Sequence, residues 1–167
     1  MEIDKVAIRP IHAGERELLE DFIYNAIFLP PGAEPVPREI IFDPEIYIYV
    51  EGFDPDANPG DLGFAVMRDA EVIGAAWTRI IPAYGHIDER TPELAISVLS
   101  DDRGQGIGAM LMARLFAALK GRGFSRTSLS VQKDNPAVRF YPRLGYEITG
   151  EKLDHADNED WLMVKEL

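Results

Sequence analysis

Glycines at 104, 106 and 108 separate a nearly continuous apolar run, residues 93–99, from a helical pattern over residues 107–120. A run of that kind suits a strand covered on both faces. The helical pattern rests on Ile107, Met110, Leu111, Leu115, Ala118 and Leu119, which share one side, and Gly121 and Gly123 end it. Glycine lets a backbone turn sharply and lets a ligand approach the main chain. The N–H groups of such a loop and of the first helical turn point at one spot, where the helix dipole adds partial positive charge. A strand, a glycine loop and a helix in this order therefore predict a pyrophosphate site in a mixed α/β domain.

Three kinds of pyrophosphate site compete for the loop. A Walker loop needs Gly-Lys-Ser/Thr after its spacer, and that is missing. Gly104-x-Gly106-x-x-Ala109 does match the dinucleotide fingerprint. That fold, however, wants an acid at the end of the following strand, and Ser125-Arg126-Thr127-Ser128-Leu129-Ser130-Val131 contains none. A nucleotide fold starting at residue 93 would also have too little chain for its sheet. The third kind is Arg/Gln-x-x-Gly-x-Gly/Ala, which Arg103-Gly104-Gln105-Gly106-Ile107-Gly108 satisfies in full.

The rest of the chain supplies one sheet and its helices. Residues 6–10 predict a strand ended by Pro10, and residues 15–29 a helix with Leu18, Leu19, Phe22, Ile23, Ala26 and Ile27 on its apolar face. Pro30-Pro31-Gly32 stops it. Residues 62–68 and 71–81 flank Asp69-Ala70 as a hairpin. A loop over 82–92 leads into the apolar strand. Later come a strand over 125–131, a short helix over 136–144, and closing strands over 146–149 and 161–164. Residues 46–50 are ambiguous, strand by propensity yet short enough for a helix.

Composition narrows the partners. The 167 residues suit one domain, 1–167, with a sizeable core. A net charge of −12 argues against nucleic acid and anionic membranes and favours cationic small molecules or basic peptides. No cysteine is present, which removes disulfides, a thiol nucleophile and thiolate metal sites. His12, His86 and His155 show no metal-ligand spacing, so no metal is expected. Residues 1–9 carry acids and no long apolar stretch, which predicts a cytoplasmic protein.

The Arg103–Gly108 loop, the preceding Pro92-Glu93-Leu94-Ala95-Ile96-Ser97-Val98 and the later Asn135-Pro136-Ala137-Val138-Arg139-Phe140-Tyr141-Pro142-Arg143-Leu144-Gly145-Tyr146 together resemble the GNAT N-acetyltransferase family. The likeness runs over roughly residues 93 to 149, and the element order agrees elsewhere. It implies an α+β acyltransferase fold with a mixed, mostly antiparallel sheet flanked by helices, and a helix at residues 46–50. It further implies acetyl-CoA as cosubstrate and acetyl transfer to a primary amine of a small molecule or peptide. Homodimers are common in the family, but no stripe here specifies an interface. Longer acyl groups and a non-catalytic acyl-CoA-binding regulatory module stay open as alternatives.

The resemblance assigns residues as follows. The main chain of Ile96, Ser97 and Val98 pairs with the pantetheine arm, and Arg103, Gly104, Gln105, Gly106, Ile107 and Gly108 hold the pyrophosphate. Arg103 is a phosphate contact or a surface residue capping the loop. Asn135 is a cofactor contact or the N-cap ahead of Pro136. Tyr141 is the general acid for the departing thiolate, with a core tyrosine as its alternative. Pro142 departs from the family pattern and predicts a bent or shortened helix. Glu93 is the general base for the alkylammonium, or a solvated acid after Pro92, with Ser97 placed to hold a water and His86 as a second candidate. The acceptor is expected among residues 24–53 and 78–92, where Tyr24, Phe28, Tyr47, Tyr49, Tyr84, Glu34, Glu45 and Glu51 suit a cation.

Overall fold

A computed structural model describes residues 5–153 and 157–167; His155 lies outside them. Strands β1 (Val6–Pro10), β2 (Leu62–Arg68), β3 (Glu71–Arg79), β4 (Glu93–Val98), β5 (Arg126–Gln132), β6 (Glu147–Leu153) and β7 (Glu159–Glu166) form one sheet in the order β1-β2-β3-β4-β5-β7-β6. Only β4 and β5 run parallel; every other neighbouring pair is antiparallel. The mixed, mostly antiparallel α+β sheet expected from the sequence is present.

The two faces carry different cores. On one, α3 (Ile107–Gly121) presses Ile107, Leu111, Met112, Leu115 and Leu119 against Phe64, Val66, Leu94, Leu129 and Met163. On the other, α1 (Arg16–Ala26) buries Leu19, Phe22 and Ile23, the i, i+3, i+4 set, beside Ile11, Ile41 and Trp77. Helix α1 stops three residues short of its expected end at residue 29. Leu29 precedes proline and is steered away from helical angles, and Ile27 is already extended.

Residues 46–50 lose their strand propensity to local capping. The Asp43 side chain accepts from the N–H of Glu45, Pro44 occupies the first turn, and α2 (Pro44–Tyr47) forms. The segment around Pro142 splits as proline demands. A 3₁₀ turn over Pro136–Arg139 is followed by the one-turn helix α4 (Phe140–Arg143). Proline has no N–H for the carbonyl four residues back, so one continuous α-helix cannot run through. Strand β6 is longer than its sequence suggested because most of it is exposed and shows no apolar alternation.

Candidate active site

The parallel pair β4–β5 stays in register at a single position, Glu93 opposite Ser128, and then opens. Alternation decides which main-chain groups face the opening. Leu99 N–H donates to Ile73 O on the β3 side, whereas Pro92 O accepts from Ser128 N–H on the β5 side. Ile96 and Val98, even-numbered like Pro92, therefore direct their amides towards the gap, and Ser97, in register with Ala75, faces β3. Two side chains replace a strand at Val98 O. Asn25 Nδ2 donates at 3.1 Å and Arg103 Nε at 2.9 Å. Among the described residues, Ile96 and the Val98 N–H remain as an unpaired edge, a strand-shaped place for an extended ligand.

The glycine loop lies where that edge ends. Gly104 and Gly106 adopt φ of +75° and +82°, left-handed angles that only glycine takes without strain. Gly106 is the N-cap of α3, with no side-chain cap, and the first intrahelical bond is Met110 N–H to Gly106 O. The N–H groups of Ile107, Gly108 and Ala109 thus have no helical partner and lie at the positive end of the dipole. Gly108 serves a different purpose. A Cβ there would stand 3.2 Å from Phe140 Cζ, so its bare backbone lets the segment carrying Tyr141 dock on α3. Arg68 braces the loop from β2 by pairing with Asp102 and reaching Gln105 Oε1.

Glu93 is 2% exposed. Its Oε2 accepts from the Tyr49 hydroxyl and from Gly85 N–H at 2.9 Å. Burial pushes its carboxyl up to about 7, against the opposing pull of those two donors and of Lys152. Glu93 is therefore no solvated acid. Its Oε1 is buried and has no hydrogen-bond partner among the described residues. Ser97, on the same face, spends its hydroxyl proton on Phe22 O at 2.7 Å.

Tyr141 packs between the rings of Phe140 and Tyr146 at centroid distances of 5.4 and 5.7 Å. Burial pushes its phenol up to about 12. No described residue accepts a hydrogen bond from it, which is unusual for a buried tyrosine. Asn135 does cap its turn, Oδ1 accepting from Ala137 N–H at 2.9 Å. His86 lies one residue beyond Gly85, with its Nδ1 buried and without a hydrogen-bond partner among the described residues and its Nε2 3.5 Å from Glu89.

The tyrosines expected around an acceptor are largely satisfied within the protein. Tyr24 donates to Val36 O, Tyr47 to Glu20 at 2.9 Å, and Tyr84 to Glu45 at 2.7 Å. Five residues central to the geometry escaped sequence reasoning: Asn25, Arg68, Lys152 and the buried pair Asp61 and Arg79. Each acts across many positions of chain, where local pattern carries no signal. Among the described residues, no group of three or more His, Asp or Glu is arranged to hold a metal, and no helix is long and apolar enough to cross a membrane.

Comparison with known proteins agrees with this fold. The sequence model of the acetyltransferase (GNAT) family matches residues 23–146. Mycothiol acetyltransferase of Saccharomonospora viridis is 31% identical over 100 residues, covering 56% of this chain and 33% of that protein. An uncharacterized N-acetyltransferase of Mycobacterium tuberculosis is 36% identical over 86 residues, 48% of this chain and 54% of its own. The matched stretches thus span about a third to a half of these relatives' length. PaiA N-acetyltransferase of Thermoplasma acidophilum, solved in complex with coenzyme A, superposes with a TM-score of 0.68 at 18% identity, over 97% of this chain and 99% of its own. At that identity the likeness is one of fold.

Proposed function

Because the chain belongs to the GNAT acetyltransferase family, we propose that it is an acetyl-CoA-dependent N-acetyltransferase acting on a primary amine of a small molecule or peptide. The observation that carries this reading is the opening between β4 and β5, edged by Ile96 and Val98 and closed at one end by the uncapped N-terminus of α3. The residues fit the cosubstrate. An extended amide-bearing arm would pair with Ile96 and Val98, and a pyrophosphate would meet the N–H groups from Gly104 to Gly108. Arg103, tethered to Val98 O by Nε, keeps its remaining N–H groups for a phosphate. Ser97 shapes the strand rather than offering its amide, and Asn135 sets the turn that presents Tyr141.

Bound acetyl-CoA supplies an activated acyl group whose leaving group is a thiolate. Tyr141 Oη, like any phenol near ~10, holds a proton throughout the neutral range and would give it to the sulfur as the thioester bond breaks; the burial that raises it to about 12 keeps that proton in place until charge develops on the sulfur. Glu93 takes the proton that an alkylammonium, near ~10.4 in water, must lose before it attacks. A carboxyl at about 7 is the stronger base for having been buried. The acid balance, net −12, suits a cationic acceptor.

Turnover of an amine panel with acetyl-CoA tests the reading through its pH dependence. Only the carboxylate form of Glu93 accepts a proton, so kcat/KM is expected to rise with pH and level off above a midpoint near 7. Glu93→Gln should slow turnover and abolish that acid limb. The same carboxyl affects stability with the opposite sign. Its folded pKa lies above the unfolded value, so its contribution is complete below about 4.5 and is lost as pH rises to about 7. Glu93→Gln should therefore melt higher than the parent at pH 8. A wild-type limb far below pH 7 would remove Glu93 from the base's role.

A further inference from the structure

We infer that Tyr49 is a positioning residue that clamps Glu93 by its Oε2 and leaves Oε1 as the oxygen that receives the acceptor's proton. The inference rests on the acetyltransferase reading above and adds to it the residue that orients the base. The two carboxylate oxygens are not equivalent. Oε2 takes two hydrogen bonds, from the Tyr49 hydroxyl and from Gly85 N–H, while Oε1 is buried and meets no donor among the described residues. Donors lower the proton affinity of the oxygen they bind, so Oε1 is the better base.

The donors are themselves held firmly. Trp77 Nε1 donates to Tyr49 O at 2.9 Å, and Arg79 Nη1 donates to the carbonyls of Ile48 and Glu51 on either side. Gly85 is pinned by Ser128 Oγ, which donates to its carbonyl at 2.7 Å. No side chain fits at that position. A Cβ on Gly85 would lie 2.8 Å from Leu129 C and Ser130 N and 3.0 Å from Glu93 Cδ. Tyr49 and Gly85 approach from different segments, so the carboxylate is gripped between them and cannot rotate to present Oε2. In the transfer step the ammonium's N–H bond breaks, its electron pair stays on nitrogen for attack, and an intervening water takes that proton while giving one of its own to Glu93 Oε1, which is too buried for the acceptor to touch. Nothing is oxidised or reduced.

The charged and titratable surroundings are few. Lys152 reaches in from β6, with Nζ 3.4 Å from Ala83 O and near Asp160. Tyr84 and His86 lie in the same loop as Gly85. Arg79, opposite Glu93 on β3, is occupied by Asp61. Ser128, opposite on β5, bonds to Gly85 O.

The test is Tyr49→Phe, read by the pH profile of turnover and by carboxyl carbon NMR of glutamate-labelled protein, in which the resonance missing from Glu93→Gln is that of Glu93. Losing the phenol should move the Glu93 midpoint and the acid limb up by about one pH unit. It should slow turnover ~10-fold alone and less than ~2-fold when added to Glu93→Gln, because its effect passes through the carboxylate. Replacing tyrosine with 3-fluorotyrosine, a stronger donor that preserves packing, should move the NMR midpoint down, which keeps the test open if Tyr49→Phe does not fold. An unmoved midpoint in either protein, or losses that multiply in the double variant, overturns the role of Tyr49. The NMR readout needs no acceptor. A wild type that acetylates no amine rejects the acetyltransferase reading itself, whereas turnover with an unmoved limb in Tyr49→Phe rejects only the positioning role.

Discussion

Tyr141→Phe is expected to bind acetyl-CoA nearly as well as the parent and to turn over at least ~100-fold more slowly. The phenol makes no hydrogen bond to a described residue, so its removal strands no buried partner. The ring contacts with Phe140 and Tyr146 survive the change. Melting temperature should therefore stay level or rise, which separates lost chemistry from lost fold. The loss should fall on kcat, since proton donation to the leaving sulfur matters only as the bond breaks. Undiminished turnover would remove Tyr141 from the mechanism, and a large fall in acetyl-CoA affinity would recast it as a binding residue.

Asp61→Ala should be among the most destabilising single changes in the chain. Asp61 and Arg79 are 2% and 6% exposed, and the carboxylate receives Arg79 Nε at 2.9 Å and Nη2 at 3.2 Å. It also accepts from Asp54 N–H and Asn58 Nδ2. Removing it leaves a guanidinium buried without its counter-charge, a loss of about 3–5 kcal/mol. For a domain of this size that corresponds to a melting point lower by roughly 10 °C. Asp61→Ala combined with Arg79→Met should recover part of the loss, because the penalty belongs to the stranded charge more than to the pair. Calorimetry of the single and double variants checks both statements; a single variant within ~1 kcal/mol of the parent would show the pair to be dispensable. Activity should follow stability here, since Arg79 also holds the carbonyls beside Tyr49.

Much of this architecture is legible in the sequence because its signals are local. Strand β4, the glycine turn and α3 announce themselves by an apolar run, by glycines that must take positive φ, and by a helical stripe. Pro142 foretells the break between the 3₁₀ turn and α4. Other features lie beyond local pattern. Residues 46–50 read as strand by β-branched and aromatic content, and the Asp43 cap with Pro44 reverses that preference. The three glycines look alike in sequence, yet Gly104 and Gly106 serve the turn and Gly108 makes room for Phe140.

The site divides the same way. Glu93 and Tyr141 stand out through their place in motifs, but nothing in the sequence says that Glu93 is buried. That follows from Tyr49, 44 positions earlier, and from a loop that folds back over β5. Tyr49 looked like one more acceptor-side aromatic, and only tertiary packing pairs it with the base. Asn25 on α1, which ties down Val98 O at the end of the β4 edge, carries no sequence mark at all.

Isothermal titration of the purified protein with acetyl-CoA tests most directly whether the β4–β5 opening and the α3 N-terminus form a cosubstrate site. A saturable heat with a dissociation constant well below millimolar is expected, weakened when Gly106→Val forces a branched side chain into a left-handed turn. No heat at millimolar acetyl-CoA would contradict the account.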